Sequence, residues 1–246
     1  MREILADLVA EQQSLDQMLQ RIPDRDWRKV TPSKPWTVLD TISHLAATEA
    51  LAEAVLTGET AELEAARSHG DIDRLNEIAI AEGRTKRPQE VIEWWRHNRA
   101  AVVDAMSRMS PQQRVPWFAS DMSVRTLATT RLMETWAHGL DVQVALGKHA
   151  DDTARLRHVA WLGWATLPYA FERAGEEYPE PIRVELVGPG YARWVFGPED
   201  GDAVVRGSAS DWCRVVVQRM KAADAGNLTA IGERAETALR VARAFL

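Results

Sequence analysis

Residues 133–141 read Met-Glu-Thr-Trp-Ala-His-Gly-Leu-Asp and set a carboxylate, an imidazole and a second carboxylate at Glu134, His138 and Asp141. On an α-helix, residues four apart stack on one face, so Glu134 and His138 aim at a common point, with Asp141 a turn beyond. One helix then offers two ligands for a divalent cation, and a third must come from another. His44 offers it, inside a segment flanked by the apolar Leu39, Ile42 and Leu45. Two imidazoles and a carboxylate make an open site of the kind that holds catalytic zinc or, as a facial triad, ferrous iron. The same spacing also describes a solvated surface pair, worth a few tenths of a kcal/mol. Thr130, Arg131, Glu134, His138 and Asp141 form one polar stripe, and Thr37, Asp40, Thr41, His44 and Thr48 form another. Spacing alone admits both readings, although helical bundles do build metal sites from inward-facing polar residues.

Long helices must position these groups. Residues 2–22 carry Ile4, Leu5, Leu8, Leu15, Met18, Leu19 and Ile22 at spacings of three and four, which predicts an amphipathic helix ended by Pro23. A second helix is predicted from Thr37, with Asp40 in the capping-box position, to about Thr57 before Gly58. Residues 59–86 are charged and Ala-rich, broken at Gly70 and Gly83, and read as one or two shorter helices. A third long helix is predicted over 88–109, with Pro88 in its first turn. The fourth, which carries Glu134 and His138, is predicted from a Ser123 cap to Leu146 before Gly147. Beyond it lie a predicted helix over 153–174, with Pro179 and Pro181 after it, and strands at 182–187, 192–196 and 202–206. A helix over 212–220 capped by Ser208 and a last helix over 228–245 complete the pattern. The fold class is therefore mainly α, a four-helix bundle over 1–150 followed by a small α+β domain over 151–246.

Composition narrows the function. The 246 residues carry 30 Lys and Arg against 36 Asp and Glu, a net charge of −6, with the basic residues scattered, which argues against nucleic acid as a partner. No apolar run approaches the roughly 18 residues of a membrane span, and the expected compartment is the cytoplasm. The one cysteine, Cys213, cannot close an internal disulfide or build a thiolate cage, and its apolar-patterned helix predicts a buried structural thiol. Any metal therefore needs His and carboxylate ligands. Ten Trp stand against three Tyr and four Phe. Trp36 precedes the His44 helix and Trp117 lies in the loop before the Glu134 helix, so both are candidates for the wall of a cavity. Asp141 is a candidate to hold a ligand imidazole, and His158 is a candidate pocket residue. His97 and His149, among charged or polar neighbours, read as surface residues.

The segment Pro35-Trp36-Thr37-Val38-Leu39-Asp40-Thr41-Ile42-Ser43-His44-Leu45, with Arg131-Leu132-Met133-Glu134-Thr135-Trp136-Ala137-His138-Gly139-Leu140-Asp141-Val142, resembles the mycothiol-dependent maleylpyruvate isomerase family of the DinB-like metalloenzyme superfamily. Arg157-His158-Val159-Ala160 and Trp194-Val195-Phe196-Gly197-Pro198-Glu199-Asp200 resemble that family's actinobacterial metal-binding branch. The resemblance implies a DinB-like bundle in which His44, Glu134 and His138 bind zinc, or alternatively iron, nickel or manganese. It implies mycothiol as cosubstrate, its thiolate adding to a conjugated double bond that rotates and re-forms on elimination. It also implies an arginine from the C-terminal domain in the site, for which Arg183, Arg193, Arg206, Arg214 and Arg219 are candidates. The loop 117–122 departs from the family in lacking Gly and Pro. The expected protein is a metal-dependent isomerase or thiol transferase acting on an electrophilic small molecule, as a monomer or homodimer. Its rivals are a thiol-independent Lewis-acid cyclase, isomerase or hydrolase of a specialised metabolite, and a non-enzymatic metal-binding protein.

Overall fold

Helix α1 (Arg2–Leu19) buries Ile4, Leu5, Leu8, Leu15 and Leu19 along one stripe. It stops three residues short of the predicted end, because Pro23 drives the preceding Ile22 out of helical geometry. A 3₁₀ turn over Asp24–Arg28 follows and buries Trp27. This computed structural model describes residues 1–69, 72–149, 151–178 and 180–244. Gly70, Pro179 and Phe245, named above as a breaker, a break and a helix end, lie outside the described residues. The chain divides into two compact units, Met1–Ala150 and Asp151–Leu246.

In the first unit, α2 (Val38–Thr57) begins in a full capping box. The Thr37 hydroxyl accepts from the Asp40 N–H, and the Asp40 carboxylate accepts from the Thr37 N–H. It ends at Gly58, which holds the left-handed φ of 96° that releases a helix C-terminus. The connection forms α3 (Ala61–His69) and α4 (Ile72–Gly83). Helix α5 (Pro88–Ser107) starts with its proline in the first turn and turns Trp95 fully inward while Trp94 stays half-buried. A short antiparallel pair, β1 (Arg114–Val115) and β2 (Met122–Ser123), closes the loop before α6 (Val124–Leu146). Ser123 caps α6 by accepting from the Thr126 N–H, and Gly147 ends it. Helices α1, α2, α5 and α6 pack together as the bundle. Leu15, Leu19, Ile42, Leu45, Val91, Trp95 and Val142 form a continuous apolar core cluster.

The second unit sets α7 (Leu156–Ala165), α8 (Leu167–Ala174), α9 (Ala209–Val216) and α10 (Glu233–Val241) with a sheet ordered β4-β3-β5-β6. Its strands are β3 (Arg183–Val187), β4 (Arg193–Phe196), β5 (Val204–Ser208) and β6 (Leu228–Ile231). β3 and β4 form the expected hairpin, and β5 joins β3 in parallel. Three expectations need correction. The 153–174 helix is two helices, since Pro168 in the first turn of α8 has no N–H to continue α7 and its ring would strike the preceding turn. The 212–220 helix ends at Val216, with Gln218 in a left-handed conformation at φ 58°. The 228–245 helix gives up Leu228–Ile231 to β6, antiparallel to β5, and Gly232 at φ 87° turns the chain into α10.

Two tryptophans of this unit donate hydrogen bonds within it. Trp212 donates to the Ala160 carbonyl and Trp164 to the Ile182 carbonyl, at 3.1 and 2.8 Å. Cys213 is buried against the Leu156 carbonyl, and burial pushes its thiol well above the usual range, as an unreactive structural cysteine requires. Among the described residues, no helix is long and apolar enough to cross a membrane.

Candidate metal centre

The polar stripes of α2 and α6 do not face water. Thr130, Arg131, His138 and Asp141 on α6, and Asp40, Thr41 and His44 on α2, are all buried. The surface-pair reading of Glu134 and His138 therefore falls. His44 Nε2 lies 3.6 Å and His138 Nε2 3.4 Å from the same oxygen, Glu134 Oε2. The two imidazole rings meet edge to face with centroids 4.9 Å apart. One ligand atom from each residue lies within 4.8 Å of the others. Two donors each 2.0–2.2 Å from a tetrahedral ion stand roughly 3.4 Å apart, so the spacing fits a divalent cation.

The outer nitrogens are committed elsewhere, which fixes the direction of the inner ones. His138 Nδ1 donates to Asp141 Oδ2 at 3.1 Å, and Asp141 Oδ2 also accepts from Ser33 Oγ at 2.9 Å. His44 Nδ1 donates to Asn76 Oδ1 on α4 at 2.9 Å. Both Nε2 lone pairs then point to the common centre, the arrangement that outer partners impose on metal-ligating histidines. Among the described residues, His44 Nε2 is buried with no hydrogen-bond partner, a polar atom that a cation would satisfy. Trp36 lies against both rings, its centroid 5.0 Å from that of His44 and 5.9 Å from that of His138.

Charge supports the same occupant. Burial alone would raise Glu134, but the neighbouring imidazoles and the Arg131 charge hold it well below the usual carboxylate range. Burial lowers His44 and keeps it neutral. Burial would also lower His138, yet the Asp141 and Glu134 carboxylates raise it. Two carboxylates, the largely enclosed Glu134 and the buried Asp141, thus face two imidazoles that bind metals only when neutral. A divalent ion balances that charge.

Of the other predicted site residues, Trp117 is buried between β1 and β2 with its ring against Phe118, centroids 5.0 Å apart. His158 is half-buried on α7 in the second unit. The candidate arginines have partners within that unit. Arg183 pairs with Glu185 at 2.6 Å, Arg193 and Arg206 approach the same carboxylate, Arg214 pairs with Asp152 at 2.8 Å, and Arg219 donates to the Val217 carbonyl. The sequence reading missed Asn76 and Ser33. Asn76 lies in a charged connection with no pattern of its own, and Ser33 in an irregular segment, so neither carried a local signal.

The family model for the mycothiol maleylpyruvate isomerase N-terminal domain matches residues 8–143. The chain belongs to this family. As a mycothiol maleylpyruvate isomerase family member, it is 38% identical over 244 residues to "Uncharacterized protein Rv0036c" of Mycobacterium tuberculosis strain ATCC 25618 / H37Rv, covering 98% of this chain and 94% of the relative. It shows the same identity and coverage against "Uncharacterized protein MT0041" of strain CDC 1551 / Oshkosh. Its fold matches a crystal structure of the mycothiol-dependent maleylpyruvate isomerase with a TM-score of 0.61 at 19% identity, over 93% of this chain and 92% of the other. A structure of a histidine-to-alanine mutant of that isomerase matches equally well. The mainly α fold with its small C-terminal sheet is the fold of this isomerase family.

Proposed function

We propose that this protein is a divalent-metal enzyme that uses mycothiol to isomerise, or transfer the thiol to, an electrophilic small molecule, with His44, Glu134 and His138 as metal ligands. The observation that carries the reading is the convergence of two oriented Nε2 atoms on Glu134 Oε2 in a buried layer of the bundle. Family membership supports mycothiol as the thiol. When bound, a zinc-like ion supplies a Lewis-acid position that favours the thiolate form of a thiol at neutral pH. The residues do the rest of the work on this side of the site. Asn76 and Asp141 keep the protons of His44 and His138 on their outer nitrogens. Ser33 holds the Asp141 carboxylate in place, and Trp36 shields the imidazole faces from water. The neighbouring imidazoles and the Arg131 charge hold the Glu134 carboxyl well below its usual range, against the effect of burial.

Two measurements test the proposal. Elemental analysis of the purified protein is expected to find about one equivalent of a divalent metal, lost in a Glu134→Ala, His138→Ala double variant; equal metal in both proteins would sink the site. Thermal shift with mycothiol is expected to stabilise the metal-loaded protein and not the double variant. Metal uptake without any mycothiol effect would transfer the assignment to the thiol-independent Lewis-acid reading.

A further inference from the structure

Among the described residues, the proton of His44 has two competing acceptors. Outward, Asn76 Oδ1 lies 2.9 Å from Nδ1; inward, Glu134 Oε2 lies 3.6 Å from Nε2. The first is hydrogen-bond length and the second is not. The neutral imidazole therefore carries its proton on Nδ1 because of Asn76. Without that acceptor the inward carboxylate is the remaining partner, and Nε2–H would block the nitrogen a metal needs.

Asn76 comes from α4, outside the four bundle helices, and α4 is docked on α2 by two further contacts. Gly83, its last residue, lies so close to α2 that a Cβ there would sit 1.9 Å from Ser43 Oγ and 2.5 Å from Ser43 Cβ. Ser43 is the residue before His44. Arg84, just past the helix, makes a bidentate pair with the Asp40 carboxylate at 2.9 and 3.0 Å. Asp40 also completes the capping box of α2, its carboxylate accepting from the Thr37 N–H. Helix α4 is thus clamped to α2 one turn and one residue from His44, and the clamp delivers Asn76 to the ring.

We infer that Asn76 is the positioning residue that sets the tautomer of His44, and that α4 is thereby a working part of the metal centre. The two imidazoles are then held unequally, His138 by a carboxylate and His44 by a neutral amide. A carboxylate partner makes an imidazole the stronger donor, so His44 is the weaker ligand and the one whose binding depends most on its outer partner. This inference rests on the metal reading for its consequence, but the tautomer stands without it.

The test uses the full chain, zinc alone as probe, and the variants Asn76→Leu and Asn76→Asp. Chelator competition is expected to show zinc affinity lowered about 10- to 100-fold in Asn76→Leu. Asn76→Asp, which keeps an acceptor in place, is expected to bind at least as tightly as the wild type. A merely structural role for Asn76 would not give that rescue. Nitrogen-15 NMR of the metal-free protein is expected to find the His44 proton on Nδ1 in the wild type and shifted towards Nε2 in Asn76→Leu. Wild-type affinity in Asn76→Leu, or an unchanged tautomer in that folded variant, would overturn the inference. If the wild type takes up no zinc, the metal reading falls and the tautomer measurement alone decides the role of Asn76.

Discussion

Arg131 Nε lies 3.3 Å from Glu49 Oε1, and both side chains are sealed inside the bundle. Gln12 donates to the same Glu49 oxygen at 3.5 Å, and Arg131 Nη2 donates to Thr48 at 2.9 Å. Arg131 stands one turn before Glu134 on α6, so this pair forms a charged layer beside the candidate centre. Burial pushes the Glu49 carboxyl up, and Arg131 offsets only part of that shift.

Removing the cation should therefore be costly. At pH 7 Arg131→Leu is expected to destabilise the protein by about 3–5 kcal/mol, because it strands a buried carboxylate, while Arg131→Met with Glu49→Leu is expected to recover most of the loss. The pH dependence has a definite sign. A carboxyl whose folded pKa is raised contributes stability that is present below its unfolded value, about 4.3, and is lost as pH rises through the folded value. The deficit of Arg131→Leu should therefore shrink towards pH 4 and grow towards pH 8. Urea titrations at both pH values would show it; a deficit independent of pH would refute the assignment of charge.

Metal removal gives a second expectation. An ion bound only by the folded state stabilises by about 2.7 kcal/mol at a hundredfold excess over its Kd. Dialysis against a chelator is expected to lower Tm by several degrees, and one added equivalent of zinc to restore it. Glu134→Gln, which keeps the shape and removes the charge, is expected to abolish the response to both. A Tm insensitive to chelator and zinc in the wild type would count against the centre.

The ligand-bearing helices were legible in the chain because their ends are written in local chemistry. Thr37 with Asp40, Gly58, Ser123 and Gly147 stand where caps and stops are needed, and α2 and α6 begin and end there. Burial of the polar stripe was not legible. Nothing in Thr130-Arg131-Glu134-His138-Asp141 distinguishes an inner face from an outer one until α1 and α2 pack against α6. The partners that orient the ligands were out of reach for a related reason. Asn76 is 32 residues from His44 and Ser33 is 108 from Asp141, so tertiary structure alone joins them. In the second unit, Leu228–Ile231 is short enough for either period, and pairing with β5 makes it a strand.

Acid stability should depend on two buried aspartates. Burial alone would raise Asp40, but Arg84 and the Thr37 cap bring it below its ordinary value; burial likewise opposes, and Arg96, Gln20 and Arg99 prevail, at Asp16. A carboxyl with a depressed folded pKa contributes stability that is complete above its unfolded value, about 3.9, and is lost as pH falls through the folded one. Denaturant midpoints of the wild type are expected to fall steeply below about pH 4. Asp16→Asn is expected to be less stable at pH 7 and to show a shallower acid slope, since the charge-linked part is already gone. A parallel slope in the variant would remove Asp16 from the acid transition.

The crossing of α7 and α9 supplies a test of packing in the second unit. A Cβ at Gly163 would come within 2.5 Å of Val216 Cγ2 and 2.8 Å of Cγ1. Val216 is fully buried, and as a β-branched residue it has little freedom at χ1 to move aside. Helix propensity alone would favour alanine over glycine by about 1 kcal/mol. Overpacking costs about 1–3 kcal/mol, so the steric effect should win and Gly163→Ala should destabilise. Val216→Ala opens the space that the new methyl needs. The double variant is therefore expected to be more stable than the sum of the single effects allows, with a coupling energy of about 1 kcal/mol or more in a double-mutant cycle. Additive single effects would mean that the two helices separate at no cost, and the close approach at Gly163 would then have no part in the stability of this unit.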